Sequence, residues 1–228
     1  MNLIVPYALR GLSHCFMPDK NRWSYIYHLD GRENPNHSRP AGDVFYSLNV
    51  LLGLSQLEEQ PYNLADIFAQ TTALMDGLSM PPYAYGMALW AGAEIGEKVP
   101  QNVQNYIANR GVLSRFNAQT VGMFLSGICS QKAKGCPDYD LLAHQLYHLI
   151  KKHFLTPSGL FRNSATGLRR DFASFAAQAY MIAGCYAYAK TYDSSEAYDI
   201  ADNATITMMV RQGANGEWPW FYHAPSGL

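Results

Sequence analysis

The sequence predicts an all-α protein, on three observations. Apolar residues recur at helical spacing from about 43 to 211. Segments that are apolar around their whole circumference alternate four times with segments that are apolar on one face only. Charged residues make up 15% of the chain against 48% apolar, so much of its length must be buried or turned toward other protein.

Residues 1–42 are read as irregular. They hold Pro6, Pro18, Pro35 and Pro40 among several Gly and Asn, with one short strand expected at 23–27. Asp43 is read as the N-cap of a helix over 44–57, where Val44, Phe45, Leu48, Leu51, Leu54 and Leu57 cover most of the circumference. A helix at 63–76 follows, with Leu64, Ile67, Phe68 and Thr71 on one face. Residues 83–95 are apolar all round and rich in Ala and Gly, and Pro82 suits the first turn. A short amphipathic helix is expected at 101–109, an all-apolar one at 118–129, an amphipathic one at 138–154, an all-apolar one at 172–189 and an amphipathic one at 195–211. A helix without a polar face belongs to an inner layer, and its amphipathic partner covers it from outside. Gly11, Gly77, Gly111, Gly159 and Gly216 punctuate the pattern at uneven spacing, which places insertions in the loops.

Composition limits the function classes. With 17 Lys and Arg against 18 Asp and Glu, the net charge is −1, and no nucleic-acid partner is expected. No apolar run is long enough to span a bilayer, so no membrane partner is expected. The start of the chain does not read as a signal peptide. Cys15, Cys129, Cys136 and Cys185 show no metal or redox spacing, so four reduced thiols in a cytoplasmic chain are expected. Neither a metal nor a cofactor is expected. One domain over 1–228 is expected, with 213–228 beginning a repeat that is not completed.

The loops at the heads of the all-apolar segments carry the candidate chemistry. Aromatic side chains with polar tips suit sugar rings, which present apolar C–H faces and hydroxyl edges. Tyr25, Tyr83, Tyr85, Trp218, Trp220 and Tyr222 are the substrate-binding candidates of this kind, with core packing as the competing role. Arg39, Arg162, Arg169 and Arg170 join them as cations able to hold acidic groups of a glycan, and pairing with the neighbouring Asp43 and Asp171 competes. The catalytic candidates are Glu217, Asp171, Asp43 and His28. Glycoside hydrolysis usually needs two carboxylates, and His28 could serve as a base. For Asp43 and Asp171 helix capping is the favoured role. Glu217, between Gly216 and Trp218, shows no structural role. His144 and His148 share a helix face and are read as a solvated pair.

With its inner and outer helices, the pattern over 43–211 resembles the α/α-toroid superfamily, which includes six-hairpin glycosidases, polysaccharide lyases and sugar epimerases. The tail Gly216-Glu217-Trp218-Pro219-Trp220-Phe221-Tyr222 resembles segments found in toroids of polysaccharide contexts. The resemblance implies an α/α toroid, here an incomplete or open ring of about four helical hairpins. It also implies an oligosaccharide or polysaccharide partner bound at one end of the inner helices, and a hydrolase, lyase or epimerase type of activity. An open ring leaves apolar flanks, so either a homo-oligomer or a missing C-terminal continuation is expected to cover them. The alternative is a non-catalytic helical-repeat scaffold or partner-binding protein.

Overall fold

The computed structural model describes residues 4–26, 39–109, 116–136 and 139–227. The chain is predominantly α-helical, with nine α-helices among the described residues and two short antiparallel ribbons. It divides into two compact units, Met1–Asn105 and Tyr106–Leu228. His28, His37 and Gly111 lie outside the described residues.

The first unit corrects the expectation of an irregular start. Helix α1 (Ile4–Cys15) runs into a ribbon of β1 (Phe16–Met17) and β2 (Arg22–Trp23). Pro6 falls in the first turn of α1, where its missing N–H costs nothing. None of the residues of α1 is buried. Trp23 is buried, and its backbone N–H donates to the Ser47 hydroxyl while that hydroxyl donates back to the Trp23 carbonyl. This exchange ties the ribbon to α2 (Pro40–Leu54).

Helix α2 starts earlier than its apolar pattern suggested. Pro40 occupies its first turn, and Arg39, not Asp43, is the N-cap residue. Asp43 lies inside the first turn and caps nothing. Helix α3 (Leu64–Ala73) is capped by Asn63, whose side chain accepts the Asp66 N–H, and ends in a 3-10 turn over Leu74–Gly77. Helix α4 (Pro82–Ile95) ends at Gly96 in the left-handed conformation, which glycine adopts without strain. Gly92 faces the Phe68 ring of α3 so closely that a methyl group there would lie 2.9 Å from its tip. The division between the units falls within α5 (Gln101–Ala108).

In the second unit, α6 (Ala118–Ala133) is buried on nearly every side, as its unbroken apolar sequence requires. Val121, Phe124, Leu125 and Ile128 are each at most 2% exposed. At about 1.5–3 kcal/mol per side chain, such burial is the main stabilising term. Helix α8 (Phe175–Tyr192) packs directly on it. Gly122 meets the backbone of Tyr180 and Met181, Gly184 meets Gly122 and Leu125, and the Lys132 ammonium lies over the Tyr192 ring. Residue numbers rise together along both helices, so α6 and α8 run parallel.

Helix α7 (Asp140–Leu149) and helix α9 (Ser195–Met209) return antiparallel. Asp140 accepts from Lys132 and from the Tyr192 hydroxyl, His144 bonds Tyr188, and Tyr186 donates to Asp202 of α9. Helix α7 closes in a π-helical turn over Ile150–Phe154. Residues 172–174, read as the start of the last inner helix, instead form β3 (Phe172–Ser174), paired with β4 (Phe221–His223). Ser174 is the N-cap of α8, its hydroxyl accepting the Ala177 N–H. Among the described residues, no helix is long and apolar enough to cross a membrane.

Candidate functional site

In the first unit the head of α2 gathers aromatic rings around a buried carboxylate. Tyr25 stacks on Tyr46 at 4.7 Å, Phe45 meets Tyr46 edge-on at 5.4 Å, and Tyr83 meets Phe45 edge-on at 4.7 Å. Gly42 lets the Tyr25 ring settle against the helix, since a methyl group there would lie 3.1 Å from the ring. Tyr25 and Tyr46 keep 41% and 44% of their surface exposed, so the stack presents ring area to solvent. Burial raises the Tyr83 hydroxyl above its ordinary pKa, and the nearby Tyr46 and Tyr25 hydroxyls add to the rise.

Beneath this stack Asp43 is fully buried. One carboxylate oxygen accepts the Tyr25 N–H at 2.8 Å. The other, Oδ2, is buried and accepts no hydrogen bond from the described residues. A buried polar atom without a partner is costly, and a water or a ligand group bound there would relieve it. Arg39 is exposed one turn earlier. Tyr85 is half-buried, and burial first and the Asp76 carboxylate second raise its hydroxyl pKa. Tyr46 is the member that sequence reasoning missed. Its signal was its place three residues after Asp43, one helical turn along the same side.

The candidates of the second unit have structural partners. Asp171 does not cap α8. Its Oδ1 accepts from Arg162 at 2.8 Å, with Arg170 at 3.5 Å, and the Arg162 guanidinium, before that of Arg170, holds its carboxyl below the usual carboxylate range. Glu217 does have a structural role. Its carboxylate accepts the Asn215 N–H and its carbonyl accepts the Gly213 N–H, closing the turn over 213–217. Tyr222 is fully buried with Leu160, Met208 and Ala224, and Trp218 packs against that cluster and on Phe175. Trp220 is 80% exposed, and Arg169 and Arg170 are exposed on the turn before β3.

His144 and His148 are both exposed, as read, but His144 also has a partner. Its Nδ1 shares a 2.7 Å hydrogen bond with the Tyr188 hydroxyl, and its ring packs on Tyr188 and Tyr192. Tyr147 stacks on Tyr188 at 4.1 Å and donates to Glu196, which Lys151 also holds. This network seals the seam between α7, α8 and α9.

Of the predicted residues, Tyr25, Tyr83 and Asp43 come together in the first unit. Asp171 and Arg170 come together in the second, and Trp218 and Tyr222 share its apolar cluster. His28 lies outside the described residues. The chain matches no family model, no curated protein and no solved structure.

Proposed function

We propose that this protein follows the α/α-toroid plan, with successive helical hairpins whose first helices pack side by side, and that it binds a glycan at the head of α2. The parallel packing of α6 and α8, each followed by an antiparallel partner, supports the plan. The glycan reading is carried by one observation: the buried Asp43 Oδ2, without a hydrogen-bond partner among the described residues, beneath the half-exposed Tyr25–Tyr46 stack. Ring faces take the C–H face of a sugar, and the Asp43 carboxylate, fully buried as it stands, takes a sugar hydroxyl once the Tyr25–Tyr46 stack shifts to admit the ligand. Arg39 supplies a cation for an acidic sugar.

Hydrolase, lyase or epimerase chemistry on that glycan needs a group that moves a proton beside the bound sugar. Asp43 is left for that role once the ligand opens the stack above it, because Asp171 is committed to Arg162 and Glu217 to its own turn. A second reading, a helical scaffold that binds another protein, is favoured by Ile206, Met209 and Val210, which are 58–66% exposed on and just after α9.

A thermal-shift screen against neutral and acidic oligosaccharides tests the proposal. A ligand at 100 times its Kd adds about 2.7 kcal/mol of stability. A specific shift that Tyr46→Ala removes supports the glycan reading. No shift with any oligosaccharide leaves the scaffold reading in its place.

A further inference from the structure

The β3–β4 ribbon has two unlike faces. Ala173 and Tyr222 point inward and are fully buried, with Tyr222 fixed in the cluster of Leu160, Met208 and Ala224. The pairing of Phe172 with His223 and of Ser174 with Phe221 puts those four side chains on the other face. Phe172 is 54% exposed, Phe221 60%, and Trp220 beside it 80%. The turn leading into β3 adds a fully exposed Leu168. Two main-chain hydrogen bonds, from Arg170 N–H to the Gly167 carbonyl and from Phe172 N–H to the Arg169 carbonyl, close that turn. Phe172 and Phe221 thus share the outward face of the ribbon, with exposed Trp220 next to Phe221 in sequence and exposed Leu168 in the turn before β3.

We propose that this edge docks on the surface of an anionic lipid bilayer. Apolar side chains set among cations suit the boundary between headgroups and acyl chains, and Trp is favoured there. Arg169 and Arg170 are exposed within the patch. The neighbouring carboxylates are already engaged, Asp171 by Arg162 and Arg170, and Glu217 by the Asn215 N–H. Arg162, Arg169 and Arg170 outnumber Asp171 and Glu217 by one, so the region carries a small net positive charge, complementary to anionic headgroups. Leu168, Phe172 and Phe221 have no polar edge with which to read sugar hydroxyls, which sets the patch apart from the tyrosines at the head of α2. This inference concerns the second unit and is independent of the glycan proposal.

Flotation of the full chain with phosphatidylcholine vesicles, with and without phosphatidylserine, tests it. Binding is expected only with phosphatidylserine, and is expected to fall as salt rises. Arg169→Gln should weaken it about fivefold, from roughly 1 kcal/mol per cation at the surface. Trp220→Ala with Phe221→Ser should abolish it while leaving the melting curve unchanged, because both side chains are exposed. Anionic vesicles should shift tryptophan emission to the blue, and Trp220→Phe should remove that shift. No flotation at low salt, or full binding by the Trp220/Phe221 variant, overturns the proposal. So does a dimer in light scattering that the same substitutions dissociate, or protection of Trp220 from quenching by an oligosaccharide.

Discussion

Gly184 of α8 sits against Gly122 of α6 so closely that a methyl group on it would lie 2.9 Å from the Gly122 carbonyl oxygen. A methyl group on Gly122 would overlap the Tyr180 carbonyl outright. The two helices touch backbone to backbone, and only glycine permits this.

Gly122→Ala should therefore destabilise the protein although alanine is the better helix former. The propensity gain is about 1 kcal/mol. Overpacking against a backbone that cannot rotate away costs roughly 3 kcal/mol. Urea unfolding should show a net loss of about 2 kcal/mol. Gly53→Ala, where an added methyl meets nothing, should stabilise by up to about 1 kcal/mol.

Capping separates two neighbouring residues. Ser174→Ala removes the hydroxyl that accepts the Ala177 N–H and should cost about 1 kcal/mol in urea unfolding. Asn117→Ala should cost a similar amount of about 1 kcal/mol, since its side chain accepts from both the Thr120 N–H and hydroxyl.

Asp171 carries a pH dependence instead. Its folded pKa lies below the ordinary carboxylate value, chiefly through Arg162. Its contribution is therefore fully present above that ordinary value and is lost as pH falls through the depressed one. Asp140, held low first by Lys132 and then by Tyr192, acts in the same direction. Melting temperature followed through the acid range should fall less steeply in Asp171→Asn than in the parent.

The thiols should separate by reactivity. Burial pushes Cys129 and Cys185 up to about 12, so neither forms the reactive thiolate near neutral pH. Burial also raises Cys15, which is partly exposed, while Cys136 is exposed. With a thiol reagent at mildly alkaline pH, Cys136 should react first and Cys15 more slowly. Cys129 and Cys185 should react only on unfolding, and early labelling of either would contradict their burial.

What the sequence revealed was mainly periodicity. The unbroken apolar runs marked α4 and α6 because a helix lacking a polar face has nowhere to go but inside. Boundaries were harder to read, since capping depends on local geometry. Ser174 and Asp171 are both good capping residues, and only the β3–β4 pairing puts Ser174 at the helix start. Pro40 and Pro6 were read as breakers, yet both fall in first turns, where proline is tolerated. Within the candidate site, residue type made Tyr25, Asp43 and Tyr83 legible. Tyr46 was hidden among helical apolar residues, and its role comes from stacking on a ring 21 positions away. The partners of Glu217 were hidden likewise, because a turn that closes on its own amides has no periodic signature.

The central claim is that the Tyr25–Tyr46 stack and Asp43 hold a sugar. Titration calorimetry, with the oligosaccharide that gives the largest thermal shift, tests it most directly on the parent chain, Tyr46→Ala and Phe172→Ser. The account predicts that Tyr46→Ala weakens binding by about 0.5–1.5 kcal/mol, the stacking worth of one ring, while Phe172→Ser binds like the parent. Equal affinity for the parent and Tyr46→Ala, with loss only in Phe172→Ser, would contradict it and move the sugar to the β3–β4 ribbon.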